Sequence, residues 1–146
     1  MTRQGLSSVM PHVAVTALTT VSSDLGTVPV SSAEALRAEL SRVAASVVQE
    51  HPVGITVERS NGDALMVVVG GPGGVLSFTR QNGRPPYFVT LGDPDREGVF
   101  AYWLVGGHHG ELPLWSVVPH DLAADAVVQL AQMSAGLPSM VTWASV

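Results

Sequence analysis

Six short apolar segments follow one another along the middle of the chain, with turns between them and no helical segment among them. Segments of this length, bounded by Gly, Pro and Asn, are typical of β-strands. The Asn61-Gly62 pair is a strong hairpin signal, because both central residues of a type I′ turn need positive φ. Links of hairpin length favour a mostly antiparallel, meandering sheet. The predicted strands are Val53–Arg59, Ala64–Gly70, Val75–Arg80, Tyr87–Leu91, Val99–Val105 and Glu111–Val118.

Two amphipathic helices flank these strands. The first is predicted from Ser32 to Gln49, with Ser31 and Glu34 as a capping box and Pro52 as the stop. One stripe of this helix is apolar and faces the core, whereas the opposite side is polar. The apolar stripe consists of Leu36, Leu40, Val43 and Val47, and the outward side of Arg37, Glu39, Arg42 and Ser46.

The second helix is predicted to begin at Asp121 as N-cap and to end before Gly136 as C′ residue. Its apolar stripe is Leu122, Ala126, Leu130 and Met133. Alternation predicts a first strand over His12–Thr20, broken by Asp24–Gly26 and Val28–Pro29, and a last strand over Ser139–Trp143.

The predicted fold is therefore α+β, with the two helices packed together on one face of the sheet. The 146 residues fit a single domain, 1–146, in which residues 1–10 are expected to be frayed or an expendable lead-in. On Val99–Val105 both faces carry large apolar groups, which predicts a central strand covered on both sides.

Composition narrows the range of functions. The chain has no cysteine, which excludes disulfide scaffolds, thiolate metal sites and cysteine nucleophiles. Its net charge is −5 and all seven basic residues are arginine, without the cationic cluster that binds nucleic acid. The acidity either favours a basic partner or only keeps the protein soluble. The apolar runs are far shorter than the ~20 residues of a membrane span, and no signal peptide is recognisable. A cytoplasmic protein is therefore expected. We also expect no cofactor.

Two polar loops are the best candidates for a functional surface. The Gly92–Gly98 loop carries Asp93, Asp95 and Glu97 but lacks the ligand spacing of a calcium loop, which favours a solvated turn. Gly106–Gly110 carries two adjacent histidines. Adjacent side chains diverge, so a metal site would need Glu111 as a further ligand. The Gly70–Gly74 run is a turn rather than a phosphate loop, since a strand follows it and the chain has no lysine.

From about Ser77 onward the sequence resembles immunity protein family 1 of bacterial polymorphic toxin systems. Tyr87–Leu91 enters an acidic glycine loop, and Phe100-Ala-Tyr-Trp103 is followed by Glu111-Leu-Pro113. The closing part is the most telling: a helix that ends in Ser134-Ala-Gly-Leu-Pro138, before a strand containing Trp143. The resemblance covers the last 70 residues or so well and the first 50 only by order of elements. The Gly106–Gly110 turn matches no family feature.

The resemblance implies an α+β domain that neutralises a cognate toxin, commonly a nucleic-acid deaminase, by occlusion and without catalytic residues of its own. Which residues contact the partner then rests on the physical argument alone. We expect charged contacts from the acidic loop and from the neighbouring histidine loop, and an apolar anchor from Tyr102 or Trp103. The predicted partner-binding residues are Asp93, Asp95, Glu97, Tyr102, Trp103, His108, His109 and Glu111.

Two alternatives stay open from the sequence. One is a small metal-dependent enzyme that uses His108, His109 and Glu111. The other is a non-catalytic scaffolding domain without a toxin partner.

Overall fold

A computed structural model describes residues 14–23, 25–47, 51–104 and 107–146. The predicted lead-in over residues 1–10 and His12 lie outside the described residues. The described residues form nine strands and two helices in chain order, and a 3-10 turn, Leu114–Ser116, lies between the eighth strand and the second helix. The elements are β1 Ala14–Ser23, β2 Gly26–Ser32, α1 Ala33–Ser46, β3 Val53–Glu58, β4 Ala64–Val69, β5 Val75–Thr79, β6 Phe88–Thr90, β7 Val99–Trp103, β8 His109–Pro113, α2 His120–Gln132 and β9 Trp143–Ser145.

The main sheet has the order β2-β1-β3-β4-β5-β6-β9, and each neighbouring pair is antiparallel. The predicted meander runs from β3 to β6, with a hairpin at Asn61-Gly62 and a turn at Gly70–Gly74. The hairpin is not the predicted two-residue type I′ turn: the Gly62 N–H donates to the Arg59 carbonyl at 2.9 Å, Arg59 pairs with Asp63, and Gly62 has φ +96°. The α+β class is confirmed.

The prediction of a chain break at Val28–Pro29 is wrong. Gly26–Ser32 forms β2, which pairs antiparallel with β1, and Gly26 turns the chain with a φ of +113°. Pro29 lies opposite Thr20 in this strand. A proline is tolerated there because β2 is an edge strand of the sheet, so its missing N–H costs no ladder bond on the open side.

In helix α1 the predicted stripe residues Leu36, Leu40 and Val43 are buried, but Val47 is the C-cap and only partly buried, and the N-cap also differs from the prediction. Ser32, not Ser31, is the N-cap, and its side chain accepts a bond of 3.1 Å from the Ala35 N–H. Glu39 was predicted to face outward but is buried, where Arg42 binds its carboxylate at 2.6 and 2.9 Å. The Arg42 bond lowers the pKa of Glu39 despite its partial desolvation. The helix ends at Ser46 rather than at the predicted Gln49, because Val47 is already extended.

Helix α2 and the C-terminal strand are displaced from their predicted bounds. Pro119 is the N-cap of α2 and makes no side-chain cap bond, so Asp121 lies in the first turn instead. Gly136 has φ +87° in the loop that follows, beyond the C-cap at Met133. The last strand is Trp143–Ser145, later than predicted, because pairing with β6 sets its register.

Side chains pack on both faces of the main sheet. On one face α1 and α2 cover a core formed by residues such as Val57, Leu65 and Leu76. On the other face a second cluster, built on Val68, Val75 and Val89, is covered by part of the β7–β8 hairpin and by Trp115. The hairpin is therefore a third layer, and it encloses the sheet from the side opposite the helices.

Strand β7 is not the central strand that its apolar sequence predicted. It pairs along its length with β8 but meets β3 at a single parallel bridge, Val53–Trp103. Large apolar residues lie on both faces of β7 for different reasons. Those on one face complete the second core cluster, and those on the other face meet solvent. Strand β8 also ends earlier than predicted, because the 3-10 turn follows Pro113.

A buried ion pair ties the β3–β4 hairpin to the end of α2. Arg59 is 2% exposed and binds the Asp63 carboxylate, and it also donates to the backbone carbonyls of Leu130, Met133 and Gly136 at 3.3, 3.4 and 3.1 Å. Burial raises the pKa of Asp63. Hydrogen bonds from Arg59, from the Asn61 side chain and from the backbone N–H of Gln81 outweigh that effect, so the pKa of Asp63 is lowered.

Among the described residues, no helix combines the length and apolarity needed to cross a membrane.

Candidate partner-binding surface

The acidic loop, Gly92–Gly98, is fixed at both ends and exposed between them. The Gly92 N–H donates to the carbonyl of Trp115 at 2.7 Å, and the carbonyl of Gly98 accepts from the Leu114 N–H at 2.9 Å. A Cβ at Gly92 would lie 2.0 Å from the Val117 carbonyl oxygen, so the close approach to the 3-10 turn requires glycine. The loop is thus held against the 3-10 turn that follows β8.

Within the acidic loop the three carboxylates are exposed. Asp93 forms a local turn: its Oδ1 accepts from the Asp95 N–H at 3.0 Å and its carbonyl from the Arg96 N–H at 3.1 Å. Asp95 and Glu97 lie in solvent, and in the described part of the chain no ion pair involves any of the three. The side chains that the sequence singled out are therefore available to a partner.

The β7–β8 hairpin presents a solvent-facing side, here termed the outer face. In an antiparallel pair, residues directly opposite share a face. Val99 lies opposite Pro113, Ala101 opposite Glu111, and Trp103 opposite His109. The outer face therefore consists of Val99, Ala101, Trp103, His109, Glu111 and Pro113, and Val99 is 57% exposed.

Trp103 lies between two histidines on the outer face. Its ring stacks on His51 with centroids 3.9 Å apart and planes inclined by 19°, and the His109 ring lies 6.1 Å from it on a tilt of 31°. The backbone N–H of Trp103 donates to the carbonyl of Pro52 at 2.8 Å, and this bond brings the adjacent His51 to the site. A groove of about 420 Å³, lined by Pro52, Gly70–Pro72, Phe100 and Ala101, adjoins Trp103.

His51 is the residue that the sequence interpretation missed. It precedes β3, far from β7 in sequence, and no local pattern marks it. Only the bridge between β3 and β7 places the two rings in contact.

Tyr102 does not belong to the outer face. It alternates with Trp103 along β7, so its ring packs in the second core cluster, over Gly110. A Cβ at Gly110 would lie 2.8 Å from the Tyr102 hydroxyl, which accounts for a glycine at that position. Of the two predicted anchors, Trp103 is the one on the solvent side.

The two polar loops are not neighbours, in contrast to the prediction. The acidic loop joins the hairpin at Val99, whereas His108 lies in the connection at the opposite end, next to Trp103. Four residue steps of a strand, about 13 Å, separate these ends. The outer face with Glu111 in its middle connects them.

Among the described residues, His108, His109 and Glu111 do not form a cluster of three side chains that could hold a metal ion. His109 starts β8 and faces outward, and His108 lies in the turn before it, where its carbonyl accepts from the Leu104 N–H at 2.6 Å. Across the residues that the structure describes, no three His, Asp or Glu side chains converge on a common point.

A sequence model of the family described as immunity protein Imm1 matches residues 25–145, from the start of β2 to the end of β9. The chain belongs to the Imm1 immunity protein family. The match extends the resemblance to the N-terminal part of the chain, including β2 and α1. A comparison with curated proteins finds no significant match.

Because the chain belongs to the Imm1 family, the outer face and the acidic loop are candidates for a surface that contacts a toxin. An immunity protein acts through a surface that a toxin contacts. In this Imm1 protein these two regions combine exposed carboxylates, an exposed apolar side chain and a stacked tryptophan on a hairpin whose other side is held by the core.

Proposed function

We propose that this immunity protein neutralises a cognate bacterial toxin by covering the toxin's active site, and that the toxin is a nucleic-acid deaminase. The match to the Imm1 family over most of the chain carries this proposal. The protein acts by binding, without turnover of its own, in the cytoplasm of the cell that it protects.

The charge of the protein supports a partner that acts on nucleic acid. Such a toxin presents cationic groups to the phosphates of its substrate. The immunity protein has a net charge of −5, and three of its acidic residues extend from one short loop. Carboxylates that occupy the cationic groove exclude the substrate, and opposite charges accelerate capture before the toxin acts.

The outer face supplies the apolar part of the proposed interface. Aromatic residues are enriched at binding hot spots, where water is excluded around them. Trp103 is held by His51 and by its backbone bond to Pro52, so little side-chain freedom is lost on binding. Glu111 and His109 surround it with polar groups. In a complex of this kind, loss of one central carboxylate costs about 2–5 kcal/mol of binding free energy.

The test uses the cognate toxin domain, which the proposed function predicts to be encoded beside this gene. The purified toxin is assayed for deamination of a nucleic-acid substrate, and the immunity protein is titrated into the reaction. We expect inhibition to be complete near one equivalent, and co-expression to restore growth. A toxin that stays active in excess immunity protein would refute the proposed function.

A pair of charge-matched variants tests the surface. The acidic-loop variant is Asp93→Asn/Asp95→Asn/Glu97→Gln, and its control, Glu34→Gln/Glu58→Gln/Asp121→Asn, removes as many exposed charges elsewhere. We expect association to slow by about tenfold or more in the acidic-loop variant, with a weaker salt dependence, and to change much less in the control. Equal rates for the two variants would place the interface on another part of the protein.

A further inference from the structure

In the described part of the chain, strand β8 has one unpaired edge, which lies beside the outer face. It pairs with β7, and no other described strand pairs with it. The Leu114 N–H bonds to the Gly98 carbonyl at 2.9 Å and the Leu104 N–H to the His108 carbonyl at 2.6 Å, so the even-numbered residues of β8 turn their peptide groups towards β7. In an antiparallel ladder the alternate residues turn away from the partner strand. His109 and Glu111 therefore direct their N–H and C=O groups outward.

The outward groups end at Pro113. This residue has no N–H, and its carbonyl accepts from the Ser116 hydroxyl at 2.6 Å. Among the described residues, no hydrogen bond involves the outward peptide groups of His109 and Glu111, which form the open part of the edge, and both residues are exposed.

The outermost strands of the main sheet are less suited to pairing with another chain. Strand β2 carries Pro29 in its middle, where the ladder lacks a donor, and β9 has only three residues. Strand β8 has five residues, with its proline at the very end. Native proteins usually protect such an edge or use it for recognition.

We propose that an extended segment of the toxin adds to β8 as a further strand of the hairpin. The proposal rests on the proposed function and specifies how the toxin is held. Main-chain bonds to His109 and Glu111 would supply affinity, and alternate side chains would supply specificity. Beside Glu111, on the outer face, charge complementarity selects a basic side chain. Beside Gly110 and Leu112, on the side of the second core cluster, the apolar surroundings select an apolar side chain.

The occupant is therefore a strand of the toxin in which basic and apolar residues alternate. A cationic toxin surface without such a strand would contact the carboxylates but would leave the peptide groups of β8 in water. The two modes of binding can be distinguished by a substitution that removes a backbone N–H of β8, because only strand addition uses that group.

The test compares Glu111→Pro with Glu111→Ala in binding to the same toxin domain. Both variants remove the carboxylate, but only proline removes the outward N–H, and neither removes a bond to β7. We expect Glu111→Pro to weaken binding at least about tenfold more than Glu111→Ala, because the partner strand keeps an unpaired carbonyl. Unfolding midpoints of both variants establish that the hairpin is intact.

Hydrogen exchange provides a second measurement that needs no substitution. We expect the amides of His109 and Glu111 to exchange freely in the isolated protein and to be protected in the complex with the toxin. Tight toxin binding without that protection would overturn the strand-addition proposal and leave the proposed function intact, as would equal affinities of two folded variants. Failure of the wild-type protein to bind the toxin at all would refute both.

Discussion

Replacing Arg59 by leucine removes the cation of the buried ion pair while keeping an apolar side chain of similar reach. The guanidinium is 2% exposed and lies 5.8 Å from the centre of the Phe78 ring, so leucine can still pack against that ring. What the substitution removes is the charge and the donors to Asp63 and to three backbone carbonyls at the end of α2.

The expected cost follows from what is left behind. Asp63 stays buried, with bonds from Asn61 and from the amide of residue 81 but without its counter-charge. Breaking a buried pair by removal of one partner costs about 3–5 kcal/mol, since the other charge stays desolvated. A domain of this kind has a total unfolding free energy of about 5–15 kcal/mol. Arg59→Leu should therefore remove a large fraction of the stability.

Urea unfolding measures this cost, as a lower midpoint at an unchanged m value. The control is Arg37→Leu, which breaks the pair with Asp125 at 2.7 Å; these side chains are 48% and 40% exposed, so the control should cost no more than about 1 kcal/mol. The double variant Arg59→Leu/Asp63→Leu removes both charges and should regain part of the loss. The reasoning is wrong if Arg59→Leu is no more destabilising than Arg37→Leu.

Two further predictions concern stability under acid and the seating of the acidic loop. The pKa of Asp63 is lowered in the folded protein, so its ionised carboxylate stabilises the fold. This stabilisation is complete above the unfolded pKa of about 4 and is lost as the pH falls through the folded value. Urea midpoints between pH 2 and pH 7 should therefore drop at the acid end for the wild type and less steeply for Asp63→Asn; identical slopes would contradict this. Gly92→Ala drives a methyl group into the Val117 carbonyl and should cost about 1–3 kcal/mol, whereas Gly71→Ala, whose Cβ makes ordinary contacts, should be nearly neutral in the same assay.

The parts of the fold that local chemistry determines could be predicted from the sequence. The hairpin at Asn61-Gly62 follows from turn preferences, and Leu36, Leu40 and Val43 are buried because helical spacing puts them on one side. Strand β2 was missed because Pro29 disrupts a central strand but not an edge strand. Which strand lies at an edge depends on the whole topology.

The candidate site likewise has some features that the sequence predicts and others that depend on the tertiary structure. Exposure of Asp93, Asp95 and Glu97 could be predicted, since charged residues between glycines in a short loop have no core to enter. The contact of His51 with Trp103 could not, because it depends on where β7 crosses the end of β3. Nor could the separation of the two polar loops, since the extent of β7–β8 pairing sets the distance between them.

The two sides of the β7–β8 hairpin are under different constraints, and this is consistent with the partner surface that we propose at this position. The inner residues Phe100, Tyr102 and Leu112 must fill the second core cluster, where a change of volume affects stability. The outer residues meet solvent, so their substitution leaves the core intact. An immunity protein needs a surface that can change with its toxin while the fold persists. In a strand pair, alternate residues satisfy the two demands independently, and the fixed inner side keeps the outer side rigid for recognition.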